Sequence, residues 1–140
     1  MNSPESTNAL AVAAEQIGDR WSLLIAHVLL DGPRRFSQLQ EEVTGISPNI
    51  LSQRLKQLES KGLVLATVYS HRPTRFAYEL TASGRELASA LRMLAHWGAA
   101  HADAEHVTRH EACGTPAEAR WWCPTCDRSI DDEATQLRHL

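Results

Sequence analysis

The chain has 140 residues, 43% of them hydrophobic and 22% charged, with a formal net charge of −3. That length holds one domain, or a small domain with an extension, and the composition excludes wholesale disorder, collagen and a disulfide scaffold. The longest apolar run, Leu23 to Leu30, is interrupted by His27 and falls short of the roughly 20 residues of a membrane helix.

Met1 to Thr7 is a polar arm carrying Glu5, unlike a secretory signal, so a cytoplasmic, nucleoid-associated protein with no membrane partner is expected. Ile17, Trp21, Leu24, Ile25, Val28 and Leu29 then fall on one helix face, with Gly18 and Asp19 able to break or cap it. Asp31-Gly32-Pro33 stops that helix, because proline cannot continue its hydrogen bonds. A short helix from Ser37 to Val43 follows, then a turn at Thr44-Gly45-Ile46. Ser47-Pro48 reads as an N-cap followed by proline at the first helical position, where its missing N–H costs nothing. The helix it opens runs to about Lys61, with Leu51, Leu55 and Leu58 as its buried stripe.

Leu63 to Tyr69 and Arg75 to Leu80 read as two strands, and Ser70 to Thr74 as the loop of a hairpin with a basic tip. Thr81 caps a long final helix, Ala82 to Ala104, whose Leu87, Leu91, Leu94 and Gly98 form a short coiled-coil-like seam. The expected organisation is a flexible arm (1–7), a DNA-binding domain (8–81), a dimerisation helix (82–106) and a Cys/His-containing extension (107–140). The fold class is mostly α with a small β-hairpin wing: a winged helix-turn-helix, dimeric, with a knuckle-like tail.

Charge distribution supports this. Between Arg34 and Arg75 seven basic residues stand against three acidic ones, whereas four basic residues face eight acidic ones from Asp103 to Leu140. A local basic surface is the electrostatic footprint of a protein whose partner is double-stranded DNA. The helix from Pro48 presents Asn49, Gln53, Lys56, Gln57 and Ser60 opposite its leucines, with Arg54 on the flank. Asparagine and glutamine pair with adenine in bidentate fashion, and lysine reaches guanine or phosphate. Ser47 and the helix N-terminus offer N–H groups to a phosphate. Arg72 and Arg75 on the hairpin reach phosphates or the minor groove. Glu59 reads as a surface or intramolecular partner, Phe76 and Tyr78 as wing-packing residues, and His27 as a partly buried packing residue. No enzymatic grouping of Ser, His and Asp, no paired carboxylates and no phosphate-binding glycine loop is legible.

All three cysteines lie in the tail, as His110-x2-Cys113 and Cys123-x2-Cys126 separated by nine residues. One imidazole and three thiolates suit a tetrahedral site for one zinc ion per chain, with His106 or His101 as alternative first ligands. A regulatory disulfide and an unliganded tail are the competing readings. Trp122-Cys123-Pro124-Thr125-Cys126 also resembles a thioredoxin-like motif, without that fold's strand-before, helix-after context. The corresponding alternative functions are a zinc- or redox-dependent interaction module and, behind it, a small thiol oxidoreductase.

Ile17-Gly18-Asp19-Arg20-Trp21-Ser22-Leu23-Leu24, Asp31-Gly32-Pro33-Arg34-Arg35-Phe36-Ser37-Gln38-Leu39 and Gly45-Ile46-Ser47-Pro48 resemble signatures of HxlR-type transcriptional regulators. So do Leu51 to Glu59, Gly62-Leu63-Val64 and Tyr78 to Gly84, and the resemblance spans roughly residues 8 to 102. It implies a bacterial homodimer on a roughly palindromic operator, with the first and final helices building the interface. Two recognition helices would then meet major-groove segments about 34 Å apart. Thiol-sensing members carry a cysteine in the N-terminal arm, and Asn2 to Gln16 has none. No small-molecule effector is legible.

Overall fold

The computed structural model describes residues 8–102, 108–130 and 137. The predicted arm, 1–7, and the end of the predicted dimerisation segment, 103–106, lie outside these residues. The chain divides into two compact units between Arg92 and Met93.

In the first unit, α1 (Ala9–Ile17) is capped by Asn8, whose Oδ1 accepts the Ala11 N–H at 3.1 Å. Gly18 ends it, donating its N–H to the Ala14 carbonyl at 2.7 Å. Asp19 then caps α2 (Arg20–Leu29), accepting the N–H groups of Trp21 and Ser22 at 3.1 and 3.0 Å. The stripe read from Ile17 to Leu29 thus crosses a helix break, and its phase is reset at Arg20. Ile25, Ala26 and Leu29 are buried, while Leu24 is exposed. His27 is exposed as well, which corrects its reading as a packing residue.

Arg34–Arg35 form β1, a two-residue strand too short to carry a periodic signal. α3 (Phe36–Glu42) begins one residue ahead of the expected Ser37 cap, and Gln38 Oε1 accepts the Arg35 N–H at 2.8 Å instead. α4 (Pro48–Ser60) starts as expected: Ser47 Oγ accepts the Ile50 N–H at 3.3 Å, and Pro48 occupies the first turn. It ends in a Schellman motif. Leu63 N–H bonds the Leu58 carbonyl and Gly62 N–H bonds the Glu59 carbonyl, both at 2.9 Å. Gly62 supplies the left-handed φ of +71° that the motif requires.

β2 (Val64–His71) and β3 (Thr74–Leu80) form the hairpin, with His71 opposite Thr74 and a bulge between Val68 and Ser70. The strands run further toward the tip than expected, leaving Arg72-Pro73 as the turn. β3 is central, because β1 pairs on its other side with Arg34 opposite Tyr78. Ile25, Leu39, Leu51, Leu55, Leu58 and Val43 are the largest fully buried side chains, so the core lies where α2, α3 and α4 meet the sheet's base.

The expected long last helix is two. α5 (Ala82–Arg85), capped by Thr81 Oγ1 on the Gly84 N–H at 3.1 Å, is separated by a turn at Glu86-Leu87 from α6 (Ala88–His101). Leu91 is buried in the core while Leu94 is exposed, so the Leu87-Leu91-Leu94-Gly98 seam is divided between intramolecular packing and open surface. In the second unit, β4 (Trp121–Cys123) and β5 (Arg128–Ile130) pair antiparallel.

Candidate nucleic-acid interface

α4 is two-faced. Leu51, Leu55 and Leu58 are 0%, 1% and 1% exposed. Truncating any of them to alanine would cost about 2–5 kcal/mol, so this face fixes the helix in the domain. Ser47, Pro48, Asn49, Gln53, Lys56 and Gln57 are exposed on the side away from the core. Asn49, Gln53 and Lys56 recur at helical spacing, so one edge of an 8–12 Å deep and wide groove can meet all three.

Arg54 is held differently from its neighbours. Its Nε lies 3.1 Å from Asp19 Oδ1, and its Nη1 donates to Gln57 Oε1 at 2.9 Å. The Nε is buried and makes no aligned hydrogen bond, so its contact with Asp19 is an ion pair. Partial burial pushes the Asp19 carboxyl up. Hydrogen bonds from Ser22, the Arg54 charge and the Trp21 N–H outweigh it and leave the pKa below the usual aspartate value. Arg54 thereby ties α4 to α2. Lys61, at the other end of α4, donates to the carbonyls of Glu15 and Gln16 at 2.8 and 3.0 Å, satisfying the open C-terminus of α1. Neither of these tethers is visible as a sequence pattern, because each joins residues more than 30 positions apart.

Arg72 occupies the hairpin turn and Arg75 lies opposite Ser70, both exposed. Arg34 and Arg35 are partly spoken for. Arg34 Nε bonds Glu42 Oε1 at 2.8 Å, and the Arg35 guanidinium lies 4.5 Å from the Tyr69 ring centroid. Phe76 is partly exposed opposite Val68 on the wing, whereas Tyr78 is half-buried against the core.

The tail residues form two pairs. His110 Nδ1 is 3.3 Å from Cys113 Sγ, which is also 3.3 Å from Thr115 Oγ1. The Thr115 hydroxyl and N–H, with the His110 ring, lower the Cys113 pKa to about 7. The N–H groups of Cys126 and Thr125, with the Cys126 side chain, lower that of Cys123. Among the described residues, no three His, Cys, Asp or Glu side chains are grouped as metal ligands, so the four predicted ligands do not meet in one cluster. Cys123 and Cys126 lie in a hairpin turn rather than at a helix N-terminus, the usual setting that activates a thioredoxin-like thiol. His101 is engaged by its own helix, with Nδ1 2.8 Å from the Trp97 carbonyl and its ring stacked on Trp97 at 4.3 Å. The other alternative ligand, His106, lies outside the described residues.

A core-anchored second helix with an open polar face, beside a hairpin with an arginine tip, defines a winged helix-turn-helix, a class of DNA-binding transcription regulators. The sequence profile described as HxlR-like helix-turn-helix matches residues 16–106, and the chain belongs to that family. It is 38% identical over 122 residues to an uncharacterized HTH-type transcriptional regulator of Mycobacterium tuberculosis, covering 84% of this chain and 77% of the relative. It is similar to the crystal structure of the HTH-type transcriptional regulator ytcD, with a TM-score of 0.64 and 34% identity over 70% of this chain and all of that one. The redox regulator HypR in its oxidized form gives a TM-score of 0.65 and 27% identity over 69% of this chain and all of that one. These relatives are regulators rather than enzymes. No helix among the described residues is long and apolar enough to cross a membrane.

Proposed function

We propose that the chain acts as a homodimer on an operator, with α4 reading bases and the β2–β3 hairpin gripping the backbone. The observation that carries this reading is the division of α4: three leucines within 1% of complete burial, and Asn49, Gln53 and Lys56 exposed opposite them. A helix held so firmly by one face presents the other at a defined angle, as readout of base edges requires. Arg72 and Arg75 supply sequence-independent attraction. Arg54 and Gln57 pair with each other and position the helix, with Gln57 still open to the groove.

Dimerisation is supported by the exposed apolar side chains of α6. Leu94 and Trp97 are 55% and 63% exposed and lie three residues apart on one face. Leu10 of α1 is 77% exposed, in the other helix that the family resemblance assigns to the interface. Such side chains are more apolar than solvent favours and suit a subunit contact.

The test is selection of preferred duplexes from a random pool by the full chain, followed by competition binding. The expected product is a two-fold symmetric site, with half-sites about 10 base pairs apart. Asn49→Ala and Gln53→Ala should each relax the preference at one position per half-site, by roughly 1–3 kcal/mol. Weak binding with no enriched sequence would favour the alternative, an interaction module whose winged helix does not read DNA.

A further inference from the structure

The two Cys/His turns of the tail are built alike. In the first, ligand-type residues stand at positions one and four (His110, Cys113), and Gly114 follows with φ +69°. Gly114 returns its N–H to the His110 carbonyl at 2.8 Å. In the second, Cys123 and Cys126 take the same positions, and Asp127 follows with φ +52°. Asp127 returns its N–H to the Cys123 carbonyl at 2.9 Å. Each turn is bracketed by antiparallel pairing, Arg109 with Pro116 around the first and Cys123 with Arg128 around the second. Asp127 takes there the left-handed conformation that glycine takes in the first turn, and aspartate is among the few non-glycine residues that adopt it readily.

Hydrogen bonds, such as Arg109 Nη1 to the Gly114 carbonyl at 2.9 Å and the His110 N–H to the Thr115 carbonyl at 2.9 Å, hold the first turn, but apolar packing adds little. Of residues 108–130 none is buried, and only Cys123 and Ile130 are half-buried. A segment of this size with no core needs a staple. The distance within the first pair fits a metal. Zinc bonds of about 2.3 Å to sulfur and 2.0 Å to nitrogen, at the tetrahedral angle, place N and S about 3.5 Å apart. His110 Nδ1 and Cys113 Sγ are 3.3 Å apart, within hydrogen-bond range and close to that spacing, so Nδ1 is the ring nitrogen already turned toward the thiol.

We propose that one Zn²⁺, bound by His110 Nδ1 and the thiolates of Cys113, Cys123 and Cys126, draws the two pairs together into the single cluster that their side chains do not form by themselves. The nine residues between Cys113 and Cys123 give ample reach for that closure. Binding releases three thiol protons to solvent, leaves the imidazole neutral and gives the centre a net charge of −1. All four coordination positions are filled by protein, so the site is structural: the ion folds the extension and activates no water.

The experiment uses the full chain, purified under reducing, anaerobic conditions without added metal or chelator. Zinc per chain is measured by elemental analysis, and Co²⁺ replaces zinc as a spectroscopic probe. One zinc per chain is expected, with tetrahedral d–d bands and thiolate charge-transfer bands in the cobalt form. Cys113→Ser, Cys123→Ser and Cys126→Ser should each lose the metal while the winged helix keeps its helical circular dichroism. His110→Ala should weaken binding by more than about tenfold, since even residues behind the ligands contribute that much, and His110→Cys should restore it. Half a zinc per chain would overturn the proposal, because Cys123 and Cys126 would then share an ion between two chains. Retention of zinc in both Cys113→Ser and His110→Ala would overturn it too. So would failure of the reduced protein to take up either metal, including the case in which Cys123 and Cys126 form a disulfide in air.

Discussion

Asp19 and Arg54 join the start of α2 to the middle of α4 through an ion pair of 3.1 Å, while the same Asp19 oxygen accepts the first N–H groups of α2. One carboxylate therefore sets where α2 begins and how α4 lies against it. A basic residue of α4 is consumed in holding that helix, and Asn49, Gln53 and Lys56 are left as its exposed polar face.

Substitution at Asp19 separates the two tasks. Asparagine caps a helix about as well as aspartate, so Asp19→Asn loses only the charge pair, worth about 0–1 kcal/mol for a partly exposed pair. Asp19→Ala loses the cap as well and should cost about 1 kcal/mol more. Urea unfolding of both variants, alone and combined with Arg54→Ala, reads the difference. Strict additivity of Asp19→Asn with Arg54→Ala would show that the pair does not couple the helices.

Acid should act through the same group. The folded-state pKa of Asp19 lies below its unfolded value of about 3.9, so its contribution is fully present above that value. It is lost as pH falls through the folded-state pKa. The stability gap between the native chain and Asp19→Asn should therefore be constant from neutral pH to about 5 and close in more acidic buffer. A thermal-melting series over that range checks it, and a gap that persists in acid would assign the effect to shape rather than charge.

Local signals made α4 and the hairpin legible in the sequence. Ser47-Pro48 opens α4 and Gly62 closes it, and alternation marks the strands, so those elements appear within a few residues of their predicted bounds. Joints were harder to read. Gly18 and Asp19 have the right chemistry for a break, yet Ile17 and Ile25 continue one apolar stripe across it and are both buried. The Glu86-Leu87 turn itself carries no glycine or proline, and Gly84 just before it lies inside α5, so the apolar spacing reads on as one helix. The exposed face of α4 followed from periodicity, whereas the engagement of Arg54 by Asp19 and of Lys61 by the end of α1 required the tertiary fold.

Gly84 is a further joint with a measurable consequence. A Cβ there would lie 2.2 Å from the Leu63 carbonyl oxygen, itself the acceptor for the Thr81 N–H at 3.0 Å. That oxygen is backbone, so no rotamer change relieves the clash, and the hairpin base must separate from α5. Gly84→Ala should destabilise the first unit by about 1–3 kcal/mol, the usual cost of overpacking. Chemical denaturation measures it directly, and a neutral outcome would mean that α5 moves freely against the Gly62–Leu63 turn.

The wing arginines should behave as phosphate contacts. Arg72 and Arg75 are exposed at the narrow end of the hairpin, with no fixed geometry from a base-reading helix. Each phosphate neutralised contributes about 0.9 to the slope of log affinity against log salt. Arg72→Ala and Arg75→Ala should each lower that slope by about one and weaken specific and random duplexes by the same factor. Gln53→Ala, by contrast, should leave the slope intact and weaken only the preferred sequence. Fluorescence anisotropy across a salt series, on a preferred and a scrambled duplex, separates these patterns. A wing variant that changed the base preference would place the arginine in the minor groove as a reader, since narrow A·T-rich grooves attract guanidinium by their shape.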